Sequence, residues 1–134
     1  MPLRLNEISG IDEPTLAQLS KANIKTTRDL LVLCSDKKGR EAISQFTGCH
    51  EPELLKWANI FDLMRIPGVG EEFSVLLEAS GIRSLAMLRR MDATFLAARV
   101  RKVNVNHQLT LHTPSETMIK KWIAHAKSLE SLMT

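Results

Sequence analysis

The sequence predicts an all-α protein, and three observations lead to this fold class. Only 4% of the 134 residues are aromatic although 44% are hydrophobic, so the core must consist mainly of aliphatic side chains. Leu and Ala favour helices, and no segment shows the sustained period-two alternation of a half-buried strand. The third observation is an internal repeat, whose copies have the pattern of short helices separated by turns.

Two long segments of the chain repeat each other. The stretch ISGIDEPTLAQLSKANIKTTRDLL from Ile8 matches IPGVGEEFSVLLEASGIRSLAMLR from Ile66 at an offset of 58 residues. Trp57 matches Trp122, and both are predicted core anchors. Their offset is 65 residues instead of 58, so the second copy has about seven extra residues, which we place within VNVNHQLTLHTP. A shorter similarity, between ISGIDEPTL and FTGCHEPEL, indicates that the first copy itself contains two similar helical units. We predict two units, residues 1–64 and residues 65–134, packed as a two-lobed helical domain.

The helix boundaries follow from proline and capping residues. Pro14 and Pro52 suit the first turn of a helix, where the missing amide hydrogen costs no hydrogen bond. Asn23 and Gly81 suit the C-terminal ends of two matching helices. The predicted helices are 14–22, 26–34, 38–46, 52–64, 71–80, 84–90, 93–102 and 115–131, with an irregular connection at 103–114.

The net charge of +3 is unevenly distributed along the chain. Residues 1–64 carry eight Lys/Arg and nine Asp/Glu, whereas residues 65–134 carry ten and six. A basic excess in one half is compatible with nucleic-acid binding, and a charge that only maintains solubility is the alternative. No stretch has the roughly 20 apolar residues of a membrane span, and no apolar secretory signal opens the chain. With only two Cys, these features predict a cytoplasmic protein that contacts no membrane.

The stretch RIPGVG places two glycines and a proline between two helical segments. Glycine adopts the backbone angles of such a tight turn at low cost, and Val69 can anchor the turn in the core. The turn opens into a helix N-terminus, whose unpaired amides and positive dipole end attract a phosphate oxygen. This chemistry predicts an anion-binding turn.

The pattern Ile66-Pro67-Gly68-Val69-Gly70 resembles the hairpin of helix-hairpin-helix proteins, which grip the nucleic-acid backbone without reading sequence. The whole chain is similar to a bacterial family of tandem helix-hairpin-helix proteins of unknown function, whose signature includes RIPGVG and the later P…KKWI…AKSL. The resemblance implies two tandem helix-hairpin-helix pairs that cover nearly the whole chain. It implies no established activity.

From this turn and the basic second half, we predict a sequence-independent nucleic-acid site, with DNA as the expected partner. A second glycine turn, Thr47-Gly48-Cys49-His50, is neutral and suits an anion. Cationic side chains would neutralise phosphates, so binding would weaken as salt rises. The predicted site residues are Gly68, Val69, Gly70, Gly48, Arg99, Lys102, Arg89 and Arg90.

Acidic residues near the turns favour a different function. Asp12 replaces the second glycine in the first turn, and Glu71 and Glu72 follow Gly70. Carboxylates at these positions would repel a phosphate. The alternative prediction is a protein-protein interaction or scaffold module, whose hairpins are purely structural.

The sequence shows no set of catalytic residues. Base-removing glycosylases also contain helix-hairpin-helix turns, but they place a catalytic Asp after the hairpin inside a much larger chain. Asp92 lies at roughly that distance and fits a helix N-cap better. Cys49, His50, His107 and His112 lack the paired spacing of a zinc site. We predict a non-enzymatic protein with no metal, no cofactor and no small-molecule substrate.

Overall fold

The computed structural model of the protein describes residues 3–134. Within this range the chain forms a short 3-10 helix (Leu5–Glu7), eight α-helices and no β-strand, which confirms the predicted all-α class. None of the helices in this range is long and apolar enough to cross a membrane. The helices are α1 (Glu13–Lys21), α2 (Thr27–Leu33), α3 (Lys37–Thr47), α4 (Glu51–Leu63), α5 (Glu71–Ala79), α6 (Leu85–Arg89), α7 (Ala93–His107) and α8 (Glu116–Ser128).

The chain divides into two compact units. The first unit extends to Phe61 and includes Leu132–Thr134, and the second unit is Asp62–Ser131. Helices α1 to α3 belong to the first unit, and helices α5 to α8 belong to the second. The composition of each unit as a pair of helix-hairpin-helix motifs stays a prediction.

The repeat is visible at the C-terminal ends of α1 and α5. Asn23 follows α1 and Gly81 follows α5, and both have left-handed backbone angles, with φ of 60° and 91°. The next residues, Ile24 and Ile82, are buried, and each donates its amide to the carbonyl five residues earlier, at 3.0 and 2.9 Å. This pattern is the Schellman motif, and it confirms the helix ends predicted at Asn23 and Gly81.

The second unit has an aliphatic core that anchors the glycine turn before α5. Val69 is buried in this core, as predicted, and the Trp122 ring on α8 lies 5.3 Å from the ring of Phe73 on α5. Both predicted tryptophan anchors are buried, Trp57 in the first unit and Trp122 in the second. The fully buried core residues of the second unit include Leu63, Ile66, Leu76, Leu77, Ile82, Leu85, Leu88, Leu96, Val100 and Ile119.

The predicted end of the seventh helix, at residue 102, is wrong. Helix α7 continues to His107 because its core-facing series extends from Leu96 and Val100 to Asn104. Asn104 is buried and hydrogen bonded despite its polar side chain. A polar residue at this position hides the helical period in the sequence. The connection between α7 and α8 is therefore shorter than predicted.

Candidate functional site

The glycine turn Ile66–Gly70 connects α4 to α5 and exposes part of its backbone. Gly68 and Gly70 are exposed, whereas Ile66 and Val69 are buried. The Val69 amide donates to the Ile66 carbonyl at 3.0 Å, which closes the turn. In residues 3–134, the amides of Gly68 and Gly70 have no hydrogen-bond acceptor. The turn is thus held by Val69 and leaves two backbone donors open.

Helix α5 begins without a side-chain cap, because its N-cap residue is Gly70. Side chains of Asp, Thr or Ser cap α1, α2, α3, α6, α7 and α8, among them the predicted N-cap Asp92, whose carboxylate accepts from the Phe95 amide at 2.8 Å. The first turn of α5 lacks such an acceptor. The uncapped start of α5 and the positive end of its helix dipole therefore lie at the glycine turn.

The glycine at position 70 is not demanded by the fold. Its backbone angles, φ −90° and ψ −166°, are extended and open to any residue. A Cβ added to Gly70 would meet no atom within 4 Å. A glycine that neither conformation nor packing requires keeps the backbone accessible for the close approach of another molecule.

The equivalent turn of the first unit is closed by a carboxylate. Asp12 occupies the position that matches Gly70, and it accepts a hydrogen bond from the Thr15 amide at 2.9 Å. Hydrogen bonds from the Thr15 side chain and amide lower the pKa of the Asp12 carboxyl. The Asp12 carboxylate therefore caps the N-terminus of α1, whereas no side chain caps that of α5.

The glycine turn at Gly48 is also closed. Gly48 ends α3 with φ 81°, and its amide donates to the Ser44 carbonyl at 2.8 Å. The following amide, of Cys49, donates to the hydroxyl of Thr47 at 3.1 Å. Gly48 is exposed but offers no open amide, so its backbone lacks the donors that Gly70 presents.

The structure places Arg99 away from the glycine turn. Its Nη2 atom lies 2.9 Å from the position that a Cβ on Gly81 would occupy, at the C-terminal end of α5. Gly70 lies at the opposite end of α5, whose nine residues are about 14 Å long. Lys102 is exposed one turn after Arg99 on α7. The structure therefore does not bring Arg99 and Lys102 together with the glycine turn.

The two arginines at the end of α6 differ in their surroundings. Arg89 is half-buried, and its Nη2 donates to the Leu129 carbonyl at 2.9 Å. Its Nε is buried and has no partner in residues 3–134. Arg90 is exposed. Arg89 thus holds the chain that follows α8, and Arg90 is the member of the pair that is accessible to a ligand.

Three exposed apolar side chains on α7 and the loop that follows it were not predicted from the sequence. Phe95 and Val105 lie on α7, and Leu111 lies in the loop between α7 and α8. Leu111 is 87% exposed. The signal in the sequence was that Leu111 lies between the polar residues Thr110 and His112, in the segment that the second copy gained.

The family of this chain is shown by a match over most of its length. A family model described as a domain of unknown function, DUF4332, matches residues 9–129, which include all eight α-helices. The chain belongs to the DUF4332 family. No curated protein and no solved structure matches it. Membership in DUF4332 confirms the predicted relation to a family of unknown function, and the tandem helix-hairpin-helix character stays a prediction.

Proposed function

We propose that this DUF4332 protein is a non-enzymatic module that binds the backbone of nucleic acid, in particular DNA, without reading its sequence. The observation that carries the proposal is the contrast between two matching positions. Asp12 closes the N-terminus of α1, whereas Gly70 leaves that of α5 open and is required by neither conformation nor packing. In this proposal the turns are helix-hairpin-helix hairpins, and the one at Ile66–Gly70 binds phosphate.

A phosphate oxygen at this hairpin would accept hydrogen bonds from the open amides of Gly68 and Gly70 and from the Phe73 amide, which no side chain caps. The buried side chain of Val69 holds the turn in place, so the turn loses little conformational entropy on binding. Exposed cations of the second unit would add salt-dependent attraction at other phosphates of the same molecule. Backbone donors and cations contact every nucleotide alike, which explains why we expect no sequence preference.

The test uses the chain's own closed turn as a template. Gly70→Asp copies Asp12 into the Ile66–Gly70 turn, where an Asp is also a favourable N-cap, so the variant should be at least as stable as the wild type. We expect Gly70→Asp to weaken binding by about tenfold or more. The new carboxylate would accept the backbone hydrogen bonds that phosphate needs, and its negative charge would repel phosphate. Glu72→Gln removes an exposed carboxylate beside the turn and should strengthen binding by up to about fivefold.

Binding is measured with a fluorescent duplex of about 20 base pairs, roughly two helical turns, and with one of its strands. The salt concentration runs from about 50 mM to about 200 mM. Opposite effects of Gly70→Asp and Glu72→Gln, with weaker binding at higher salt, support the proposal. Absence of binding to both probes at the lowest salt refutes it, and so does equal binding by wild type and Gly70→Asp.

The acidic residues of the first turn of α5 favour a second candidate function. Glu71 and Glu72 lie directly after the open turn, and Asp12 closes its counterpart. A protein-interaction or scaffold role, with hairpins that are structural corners, is consistent with these carboxylates. This candidate replaces the first when neither nucleic-acid probe binds.

A further inference from the structure

The outer side of α7 and the loop that follows it carry exposed cations and exposed apolar side chains. No Asp or Glu occurs from Ala93 to Ser115. The cations of this stretch are exposed, and none of them forms an ion pair within residues 3–134. We call this the α7 surface, and its exposed residues are Phe95, Arg99, Arg101, Lys102, Val105 and Leu111.

The loop at the end of the α7 surface is held in one conformation by Asn104. The Asn104 side-chain amide donates to the Thr110 carbonyl at 3.1 Å and to the Thr113 hydroxyl at 3.2 Å. Its carbonyl oxygen accepts from the Thr110 amide at 2.9 Å. The Thr110 hydroxyl in turn donates to the His112 carbonyl at 2.7 Å. The loop is therefore rigid on both sides of Leu111.

This rigid loop presents a leucine to solvent. Leu111 is 87% exposed, and Val105 on the last turns of α7 is 71% exposed. A preordered apolar side chain loses little entropy on binding, so it can enter a gap in a partner at low cost. The exposed cations of α7 favour an anionic partner, and nucleic acid combines phosphates with an apolar base stack.

We propose that Leu111 is a wedge that enters a weakened base step of duplex DNA, while Arg101 and Lys102 neutralise neighbouring phosphates. This inference rests on the proposed function and names its preferred substrate, a duplex with a local interruption. Apolar wedges separate base steps in known minor-groove binders, and unstacking an intact step costs a few kcal/mol. A bulged nucleotide has already weakened the stack, so the wedge would enter there more easily.

The experiment compares two probes that differ in a single nucleotide. One is an intact duplex of about 20 base pairs, roughly two helical turns, and the other carries one unpaired adenine at its centre. We expect the full chain to bind the bulged duplex about tenfold more tightly, which corresponds to about 1.4 kcal/mol. Leu111→Ser should reduce this preference to less than about twofold, while the affinity for the intact duplex stays within a factor of about two.

The matched control is Leu33→Ser, which makes the same change at an exposed leucine of α2 in the first unit. Leu33→Ser should keep the preference for the bulge. Equal binding of both duplexes by the wild type, with Gly70→Asp still weakening it, overturns the wedge and leaves the proposed function standing. A preference that survives in Leu111→Ser also overturns it. Absence of binding to both duplexes overturns the wedge, and if the single strand is not bound either, it overturns the proposed function as well and leaves the α7 surface to a protein partner.

Discussion

The indole nitrogen of Trp122 lies 3.5 Å from the position that a Cβ on Gly68 would occupy. In the first unit, Cη2 of Trp57 lies 2.8 Å from the corresponding position on Gly10. The repeat matches Gly10 with Gly68 and Trp57 with Trp122. Each unit therefore packs the first glycine of its turn against a tryptophan, which explains why these residues recur together.

The two glycines of the RIPGVG turn should differ in how much their substitution destabilises the protein. Gly68→Ala should lower the free energy of unfolding by about 1–2 kcal/mol, because φ of 87° is costly for a residue with a Cβ. Gly70→Ala should change it by less than about 0.5 kcal/mol, because a poorer N-cap is offset by a less flexible unfolded chain. Urea denaturation measures both variants, and equal losses would contradict the assignment.

Two ion pairs of this chain should also differ in how much they contribute to the free energy of unfolding. Asp62 is fully buried and accepts from Nη1 of Arg65 at 2.8 Å and from the Ser131 hydroxyl at 2.7 Å. Arg65→Met should lower the free energy of unfolding by about 2–3 kcal/mol, because it removes the cation from a buried carboxylate. The partial exposure of Arg65 keeps this below the cost of a fully buried pair.

The matched control is Lys37→Met, which removes an exposed helical pair with Glu41 at 3.9 Å. We expect a change below about 0.5 kcal/mol for this variant. Both variants are compared in the same urea titration. A loss for Arg65→Met no larger than that for Lys37→Met would show that the Asp62 carboxylate does not depend on its partner.

Most helix ends were predictable because they depend on nearby residues. Pro14 and Pro52, the turn glycines and Asn23 act within one helical turn, and the sequence shows them directly. The end of α8 was predicted at residue 131, but the helix stops at Ser128. The carbonyls of Leu129 and Glu130 accept from Arg89 and Arg65, which lie far away in the sequence. A local sequence pattern cannot predict such long-range contacts.

The candidate site was predictable to the same limited extent. The exposed turn with buried Val69 follows from the glycine pattern, and the structure has both features. The position of Arg99 depends on the space that Gly81 leaves at the far end of α5, which is a tertiary relationship. The exposure of Leu111 depends on the hydrogen bonds of a buried asparagine, which sequence patterns treat as a polar surface residue.

Stability at high pH should depend on Cys34. Burial raises the pKa of this thiol from 9.0 to about 11, so the unfolded chain loses the proton at a lower pH than the folded chain. The contribution of the buried thiol is complete below about pH 9 and is lost as pH rises toward about 11. Cys34→Ala should be less stable at pH 7 and show a smaller fall in stability across this range.

The measurement is the free energy of unfolding of wild type and Cys34→Ala between pH 7 and about 11 under reducing conditions. The chain contains no Tyr, so the titration of phenols does not obscure the comparison. Effects of pH on groups that both proteins share cancel in the difference. Parallel pH profiles for the two proteins would show that Cys34 is not responsible.

Asn104 should be the residue that keeps the α7–α8 loop in place. Asn104→Ala removes three hydrogen bonds and leaves the buried Thr110 amide without its acceptor. An unsatisfied buried group costs about 1–3 kcal/mol, so we expect a loss of that size in the free energy of unfolding. Asn106→Ala, on the exposed side of the same helix, should change it by less than about 0.5 kcal/mol.

Hydrogen exchange separates a local effect from a general one. In Asn104→Ala the Thr110 amide should exchange faster at temperatures where the core amides of α8 keep their protection, because the loop opens while the helices remain folded. If Thr110 exchanges at the wild-type rate, the loop is held by other contacts. The rigid presentation of Leu111 would then lack its physical basis, because a mobile loop would have to be ordered before its leucine could enter a base step.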